Sequence, residues 1–200
     1  MSEPIDFYFD FSSPYGYFMA EQIDEVAARY GRSVRWRPYL LGAVYKKLGE
    51  QPLPSKPMKG AYSVHDFGRS ARFYGLESRI PDVFPVSTQH AARAFYWLEA
   101  QDAGLARHFA LDTLRAYFRE NRDISRMEIV LDMAATHGAD RAELEAALGE
   151  DALKARLRTE CETAIERGVF GSPFVFIDGE PFWGVDRLPQ IERWLENGGF

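Results

Sequence analysis

Cysteine is almost absent from this sequence: 200 residues contain one, Cys161. A single thiol cannot form an intramolecular disulfide, a Cys-x-x-Cys redox pair or a cysteine-rich zinc site. Because Cys161 falls on an apolar helical stripe, we interpret it as a buried, unreactive thiol. No metal site is predicted, since the histidines show no close ligand spacing. The four are His65, His90, His108 and His137.

The chain also lacks a long apolar run and an excess of positive charge. No stretch approaches the roughly 20 residues that cross a bilayer, and no apolar segment follows a basic N-terminus. We therefore expect a cytoplasmic protein with no membrane partner. The formal net charge of −6 disfavours a nucleic-acid partner, because phosphate binding needs a basic surface. A chain with 46% hydrophobic residues can bury a sizeable core, in one domain or one domain with a large insertion.

The N-terminal part has a strand, helix, strand pattern. Residues 5–9 form a short apolar run that predicts a buried strand, and Pro14 suits the first turn of a helix. The helix is predicted to reach about Tyr30, where Gly31 ends it. Apolar and polar residues alternate over residues 34–41, which predicts a second strand. A β-α-β order predicts parallel pairing with a right-handed crossover.

The middle of the chain is predicted to be mostly helical. Three prolines indicate a loop over residues 42–57, and an irregular stretch covers residues 80–86. Elsewhere in this part, apolar residues recur at spacings of three and four residues, which is typical of amphipathic helices. The predicted helices cover residues 59–74, 91–103, 105–120, 126–137 and 140–148.

The last third predicts a helix, a hairpin and a final helix. Apolar residues recur every four positions from Leu153 to Ile165 and predict a helix, which Gly168 ends. Residues 174–177 and 180–183 then predict two strands around an Asp-Gly turn, before a helix over residues 187–195. The order βαβ…αββα predicts a thioredoxin-like α/β fold with a large all-helical insertion. We expect residues 1–45 and 150–200 to form the thioredoxin-like domain and residues 46–149 the inserted one.

The first helix of a thioredoxin-like fold begins at the active site, opposite a proline that precedes the third strand. Here the corner reads Ser13-Pro14-Tyr15-Gly16, where thioredoxin-like oxidoreductases carry Cys-x-x-Cys. Dithiol exchange is excluded, but a hydroxyl at this corner can stabilise a thiolate supplied by another molecule. Alone, Ser13 is more often a helix N-cap, a role compatible with anion binding. For Asp10 we favour a structural role over that of a tuning acid.

The opposing proline is Pro173, and we predict that the Ser172–Pro173 peptide bond is cis. The alternative is a trans proline in an ordinary strand-entry turn.

Three stretches at the two ends of the chain carry a family resemblance. They are residues 5–17 (IDFYFDFSSPYGY), 169–173 (VFGSP) and 182–187 (FWGVDR). Together they resemble the 2-hydroxychromene-2-carboxylate isomerases, in the DsbA-like, kappa-class glutathione transferase group. The resemblance implies a thioredoxin fold, isomerase activity with glutathione as a regenerated cosubstrate, a role in aromatic compound catabolism, and a homodimer.

The resemblance also implies roles for residues that match the motifs. Ser13 would be catalytic, with its hydroxyl bonded to the glutathione sulfur, and the backbone of Ser172, before Pro173, would pair with the cysteinyl part. Four further residues would border the γ-glutamyl end, where Asp186 accepts hydrogen bonds from the α-ammonium group. They are Trp183, Gly184, Val185 and Asp186. The alternatives are core packing for Trp183 and a helix N-cap for Asp186.

The second substrate implied by the resemblance is a small aromatic carboxylate held between the thioredoxin half and the helices. Residues 41–59 depart from the family's polar pattern, which puts the substrate in question. The candidate contacts are Tyr45, Lys46, Lys59 and Thr88. Each, taken singly, is more often a solvated or structural residue.

Three functions remain open from the sequence. The first is a glutathione-dependent cis–trans isomerase of an unsaturated aromatic keto acid, acting by reversible thiolate addition (2-hydroxychromene-2-carboxylate to hydroxybenzylidenepyruvate type). The second is a kappa-like glutathione transferase, which keeps the conjugate. The third is a non-enzymatic thioredoxin-like binding module.

Overall fold

A computed structural model describes residues 3–200, which form four strands and ten α-helices. The first half contains β1 (Ile5–Phe9), α1 (Pro14–Ala20), α2 (Ile23–Arg29), β2 (Val34–Pro38), α3 (Leu41–Leu48), a short 3-10 helix (Leu53–Ser55), α4 (Lys59–Tyr74) and α5 (Gln89–Glu99). The second half contains α6 (Ala103–Phe118), α7 (Met127–Ala135), α8 (Arg141–Gly149), α9 (Asp151–Glu166), β3 (Phe174–Ile177), β4 (Glu180–Trp183), a 3-10 helix (Val185–Arg187) and α10 (Leu188–Asn197). No helix in this part of the chain is long and apolar enough to cross a membrane.

The four strands form one mixed sheet in the order β2-β1-β3-β4. β1 pairs in parallel with β2, from Ile5 opposite Val34 to Phe9 opposite Pro38. β3 is antiparallel to both β1 and β4. The predicted parallel β-α-β unit, the C-terminal hairpin and the thioredoxin-like fold with inserted helices are therefore confirmed.

Three predictions in the N-terminal third are wrong. The single helix predicted over residues 14–30 is two helices, α1 and α2, separated at Glu21 and Gln22. At this break the side-chain Nε2 atom of Gln22 donates to the carbonyl of Phe18 at 2.7 Å. The Glu21 carboxylate accepts hydrogen bonds from Arg115 and Arg119. Long-range contacts of this kind leave no local pattern in the sequence.

The strand predicted over residues 34–41 ends at Pro38, and the predicted loop over residues 42–57 begins instead as helix α3. The buried Asp10 carboxylate accepts the Leu41 amide at 2.8 Å, which satisfies one amide at the start of α3. Gly49 ends the helix with φ of 68°, so the prolines shape only the segment that follows.

The core joins the sheet to the inserted helices. Buried side chains from β1, α1, α4, α5 and α6 belong to one hydrophobic cluster. Within it, Phe18 of α1 stacks on Phe67 of α4, with ring centroids 5.1 Å apart. This contact fixes the start of α1 against the inserted helices. The division into two domains at residues 45 and 150 stays a prediction.

One buried carboxylate on β1 is surrounded by arginines. Asp6 accepts hydrogen bonds from Arg167 at 2.6 Å and from Arg37 at 2.9 Å, and pairs with Arg35 at 2.8 Å. Burial raises the pKa of Asp6, but these arginines outweigh burial and hold the pKa below its usual range. The ionised carboxylate therefore stabilises the folded state.

Cys161 on α9 is buried, as the apolar stripe predicts. Its sulfur accepts the Leu40 amide at 3.3 Å, and burial raises the pKa of the thiol. The Leu40 hydrogen bond lowers that pKa, but burial outweighs it and disfavours a reactive thiolate.

Candidate active site

A cleft of about 970 Å³ lies where the start of α1 faces the start of β3. Its other walls come from α3 and the segment that follows it, from one face of α4, and from residues 80–86 and 183–187. Much of the lining is aromatic, from Tyr15, Tyr45, Phe67, Tyr74, Phe84, Phe170 and Trp183. The cleft is therefore suited to a partly apolar ligand that also carries polar groups.

Ser13 is the N-cap of α1, and its hydroxyl also contacts the opposite side of the cleft. The Oγ atom accepts the Gly16 amide at 3.1 Å and donates to the carbonyl oxygen of Ser172 at 2.8 Å. The side chain is buried, yet Ser13 lines the cleft. The cap and the cleft-facing hydroxyl are thus the same group, as the sequence allowed.

Ser172 and Pro173 lie directly opposite Ser13. The Ser172–Pro173 bond is cis, which confirms the prediction; a second cis bond, Phe84–Pro85, was not predicted. The Ser172 hydroxyl accepts the Asp10 amide at 3.0 Å. This bond fixes the segment before β3 against the end of β1.

Asp10 connects three segments around the cleft. Its carboxylate accepts the amides of Ser12 and Leu41, each at 2.8 Å, and the hydroxyl of Thr88 at 3.1 Å. Burial raises the pKa of Asp10, and these three hydrogen bonds partly offset that effect. The contacts support the structural role that we favoured from the sequence.

Trp183 forms part of the cleft rim, because 55% of its surface is exposed. Its ring contacts Phe170, with centroids 4.8 Å apart. On its other side the indole lies over Gly171, where a Cβ atom would be 2.9 Å from Cε2. The alternative of core packing for Trp183 is therefore wrong, since the indole faces the cleft and solvent.

The segment after Trp183 carries two opposite charges. Gly184 has φ of 102° and donates its amide to the Pro173 carbonyl at 3.1 Å. Val185 is buried, whereas Asp186 is exposed and accepts a hydrogen bond from Arg187 at 3.0 Å. The alternative of Asp186 as the N-cap of the last helix is wrong, because α10 begins at Leu188 and its cap position is Arg187.

The four candidate contacts for the second substrate are not all in the cleft. Tyr45 and Lys59 line it, and burial together with nearby Asp10 raises the pKa of Tyr45, so its hydroxyl stays protonated. Lys46 is exposed on α3 and is not part of the lining. Thr88 is 2% exposed and holds Asp10 instead. The geometry therefore does not support a substrate contact for Lys46 or Thr88.

The structure adds site residues that sequence reasoning missed. Tyr15 donates its hydroxyl to Asp66 of α4, and Asp66 also pairs with Arg69. Burial and the adjacent Asp66 raise the pKa of Tyr15. The proximity of Tyr15 to Ser13 in the chain was a usable signal for its place in the cleft. The pairing with Asp66, and the places of Phe170 and Arg187 in the lining, depend on tertiary contacts.

Across residues 3–200, no group of three His, Cys, Asp or Glu side chains is arranged to hold a metal ion. The polar groups of the cleft are hydroxyls, amides and separate charges. They fit an organic ligand that carries polar or ionised groups.

The fold and the site together define a thioredoxin-fold protein of the DsbA-like type, with a serine at the position of the reactive sulfur. The family model described as DSBA-like thioredoxin domain matches residues 4–196.

Relatives of known name narrow this class. A 2-hydroxychromene-2-carboxylate isomerase of Pseudomonas putida is 30% identical, over 94% of this chain and 92% of its own length. A solved structure of an enzyme with that name has a TM-score of 0.85 at 28% identity and covers 97% of this chain and 95% of its own. Glutathione S-transferase kappa 1 of Caenorhabditis elegans is 25% identical, over 96% of this chain and 91% of its own length. The chain belongs to the DsbA-like 2-hydroxychromene-2-carboxylate isomerase family.

Proposed function

We propose that this protein is a glutathione-dependent cis–trans isomerase of an unsaturated aromatic keto acid, of the 2-hydroxychromene-2-carboxylate type. The observation that carries the proposal is the Ser13 hydroxyl, placed at the start of α1 and 2.8 Å from the backbone of Ser172 beside Pro173. A donor at this corner can stabilise a thiolate that the protein itself does not contain. The isomerase and kappa transferase relatives support this assignment.

In the proposed complex, glutathione lies along the cleft. Ser13 would donate to the sulfur, and the Ser172 backbone would pair with the cysteinyl part in the manner of an added strand. Asp186 and Arg187 carry a carboxylate and a guanidinium side by side on the cleft. This pair matches the ammonium and carboxylate of a γ-glutamyl group. Trp183 would cover that end of the ligand, next to Gly184 and Val185.

Glutathione supplies a thiolate that adds reversibly to a conjugated carbon–carbon double bond, so that the bond can rotate before elimination. The protein's own residues position the reactants and stabilise charge. The Ser13 hydroxyl, which donates to the Ser172 carbonyl in the structure, would turn its proton to the sulfur and favour the ionised form. Tyr45 would offer a protonated hydroxyl and Lys59 a positive charge for the keto acid, while the aromatic walls would contact its ring.

A kappa-like transferase is the second candidate, because a kappa transferase is among the relatives and both activities need the same thiolate. The test is to incubate the protein with glutathione and 2-hydroxychromene-2-carboxylate, and to follow both isomers and free thiol. We expect isomer interconversion that needs glutathione while total glutathione stays constant. Stoichiometric loss of glutathione would favour the transferase. If the substrate is neither isomerised nor conjugated, both enzymatic functions are wrong and the binding module is the alternative that is left.

The proposal also includes a cytoplasmic location, where glutathione is kept reduced, and a homodimer. Light scattering on the purified chain tests the oligomeric state. A mass of one chain, 22.9 kDa, would contradict the dimer.

A further inference from the structure

We infer that Glu50 is an internal counter-ion of the cleft, which pairs with Lys56 until the carboxylate of the aromatic substrate replaces it. The inference rests on the proposed function, because it concerns how that substrate is held. It assigns the preference for an anionic substrate to three residues, Glu50, Lys56 and Lys59, that are separate from the proposed glutathione contacts. We call these three residues the charged wall.

The charged wall lies on the side of the cleft between α3 and the first turn of α4. Glu50 follows the end of α3, Lys56 follows the first 3-10 helix, and Lys59 begins α4. All three line the cleft, together with the apolar side chains of Leu48 and Leu53. An aromatic acid matches this combination, because its ring can contact apolar side chains while its carboxylate reaches a lysine.

The two lysines of the wall share a single carboxylate. Glu50 forms a hydrogen-bonded ion pair with Lys56, and within residues 3–200 this is the one ion pair that involves either lysine. The adjacent Lys56, and more weakly Lys59, hold the pKa of Glu50 below its usual range, so this carboxylate is ionised at neutral pH. The charged wall therefore carries one positive charge in excess.

The other carboxylates that line the cleft have different partners. Asp10 is buried and accepts backbone amides. Asp66 pairs with an arginine of α4, and Asp186 pairs with Arg187. Glu50 is the lining carboxylate whose partner is a lysine, and an exposed pair of this kind contributes little to stability. An incoming carboxylate can therefore replace Glu50 at small cost.

The backbone holds Lys56 in place without the ion pair. Its carbonyl accepts the Gly60 amide at 2.9 Å, and its amide donates to the Leu53 carbonyl at 3.1 Å. A Cβ atom on Gly60 would overlap the Pro54 carbonyl, so this glycine lets the 3-10 helix lie directly against α4. Exchange of the counter-ion therefore needs only side-chain rotation, which the flexible lysine stem allows.

The exchange gives the cleft a preference for charge and also limits it. A neutral ligand leaves the pair between Glu50 and Lys56 intact and gains nothing from the lysine. A carboxylate takes over a lysine, but it must first displace Glu50. Both isomers of the proposed substrate carry the carboxylate, so the same competition keeps the product from binding too tightly.

The test measures the binding of two unreactive ligands of similar shape, chromone-2-carboxylate and the neutral chromone-2-carboxamide, by calorimetry at low salt. The proteins are wild type, Glu50→Gln, Lys56→Gln and the double variant. The preference is the affinity for the carboxylate divided by the affinity for the carboxamide. The number of lysines without a counter-ion predicts its order: two in Glu50→Gln, one in wild type and in the double variant, and none in Lys56→Gln.

Relative to wild type, we expect the preference to rise about threefold in Glu50→Gln and to fall about threefold in Lys56→Gln. The double variant should return to within about twofold of wild type. The affinity for the carboxamide should be the same in all four proteins. Salt at about 1 M should reduce the differences, because it screens exposed charges.

Asp151→Asn and Lys154→Gln are the matched controls. These residues form an exposed ion pair on α9, with Nζ and Oδ1 3.1 Å apart, and neither lines the cleft. The controls change the net charge by the same amounts and should leave the preference unchanged. An unchanged preference in Glu50→Gln, or equal changes in the controls, would overturn the inference. A wild type that binds neither chromone would overturn it as well.

The isomerase assay on the same four proteins separates this inference from the proposed function. We expect KM for 2-hydroxychromene-2-carboxylate to be lowest in Glu50→Gln and highest in Lys56→Gln, with kcat little changed. Turnover with the same preference in all four proteins means that the inference is wrong and the proposed function stands. No turnover in wild type, with the expected order of preferences, means that the proposed function fails and the charged wall still binds carboxylates.

Discussion

Replacing Gly171 by alanine should displace Trp183 from the rim of the cleft. The added Cβ atom would overlap Nε1 of the indole and lie 2.9 Å from Cε2, closer than real Cβ atoms approach other atoms. Gly171 has no positive φ, so its backbone conformation accepts alanine. The exposed indole can move away, and the cost is then mainly its lost contact with Phe170.

The size of each effect follows from these contacts. An aromatic pair contributes about 0.5–1.5 kcal/mol beyond its buried area, so the free energy of unfolding should fall by about 1 kcal/mol. For a chain of this length that corresponds to a melting temperature about 2–4 °C lower. If glutathione binds as we propose, its affinity should fall by about tenfold, because Trp183 would no longer cover the γ-glutamyl end.

A double-mutant cycle with Trp183→Ala isolates the cause. Urea unfolding followed by circular dichroism gives the stability, and calorimetry gives the affinity for glutathione. If the clash with the indole is the reason, Gly171→Ala should cost almost nothing further once Trp183 is alanine. Equal losses in both backgrounds would refute the reasoning, since the damage would then come from elsewhere.

Two further variants test other parts of the account. Asp6→Asn should lower the free energy of unfolding at neutral pH by about 1.5–3 kcal/mol, because it weakens the charged hydrogen bonds that Arg167 and its neighbouring arginines make to the carboxylate. The folded-state pKa of Asp6 is below its usual 3.8, so this stability is present above that pH and lost as pH falls. The difference in melting temperature between wild type and Asp6→Asn should therefore decrease as the pH is lowered into the acid range. A difference that stays constant with pH would contradict the ionised state of Asp6. Ser13→Cys should create a thiol that titrates below the usual value of about 8.5, because the Gly16 amide would donate to its sulfur. The rate of thiol alkylation as a function of pH measures the pKa of the new thiol. Wild type is the blank, because its only thiol, Cys161, is buried. A pKa at or above the usual value would contradict the prediction.

The sequence allowed the two ends of the molecule to be predicted well. Residues 5–9 and 174–183 carry β-type patterns with clear turn signals, and the structure has these strands at those places. Helix α4 also has the predicted bounds, Lys59–Tyr74. These elements are set by local chemistry and by amphipathic periodicity.

The errors lie where long-range contacts decide the local structure. The start of α3 depends on the Leu41 amide meeting the Asp10 carboxylate, a pairing across 31 residues. Thr88 faces the same carboxylate instead of the cleft. No local pattern identifies the partners of a buried polar group, so these contacts could not be read from the sequence.

The most direct test of the central claim is the pKa of the glutathione thiol when it is bound to wild type and to Ser13→Ala. The near-ultraviolet absorbance of the thiolate, followed from about pH 6 to about pH 9, measures it against free glutathione. A charge-assisted hydrogen bond of about 1.5–3 kcal/mol predicts that bound thiol ionises about one to two pH units lower on wild type than on the variant. Equal pKa values on both proteins would show that Ser13 is only a helix cap and would contradict the account.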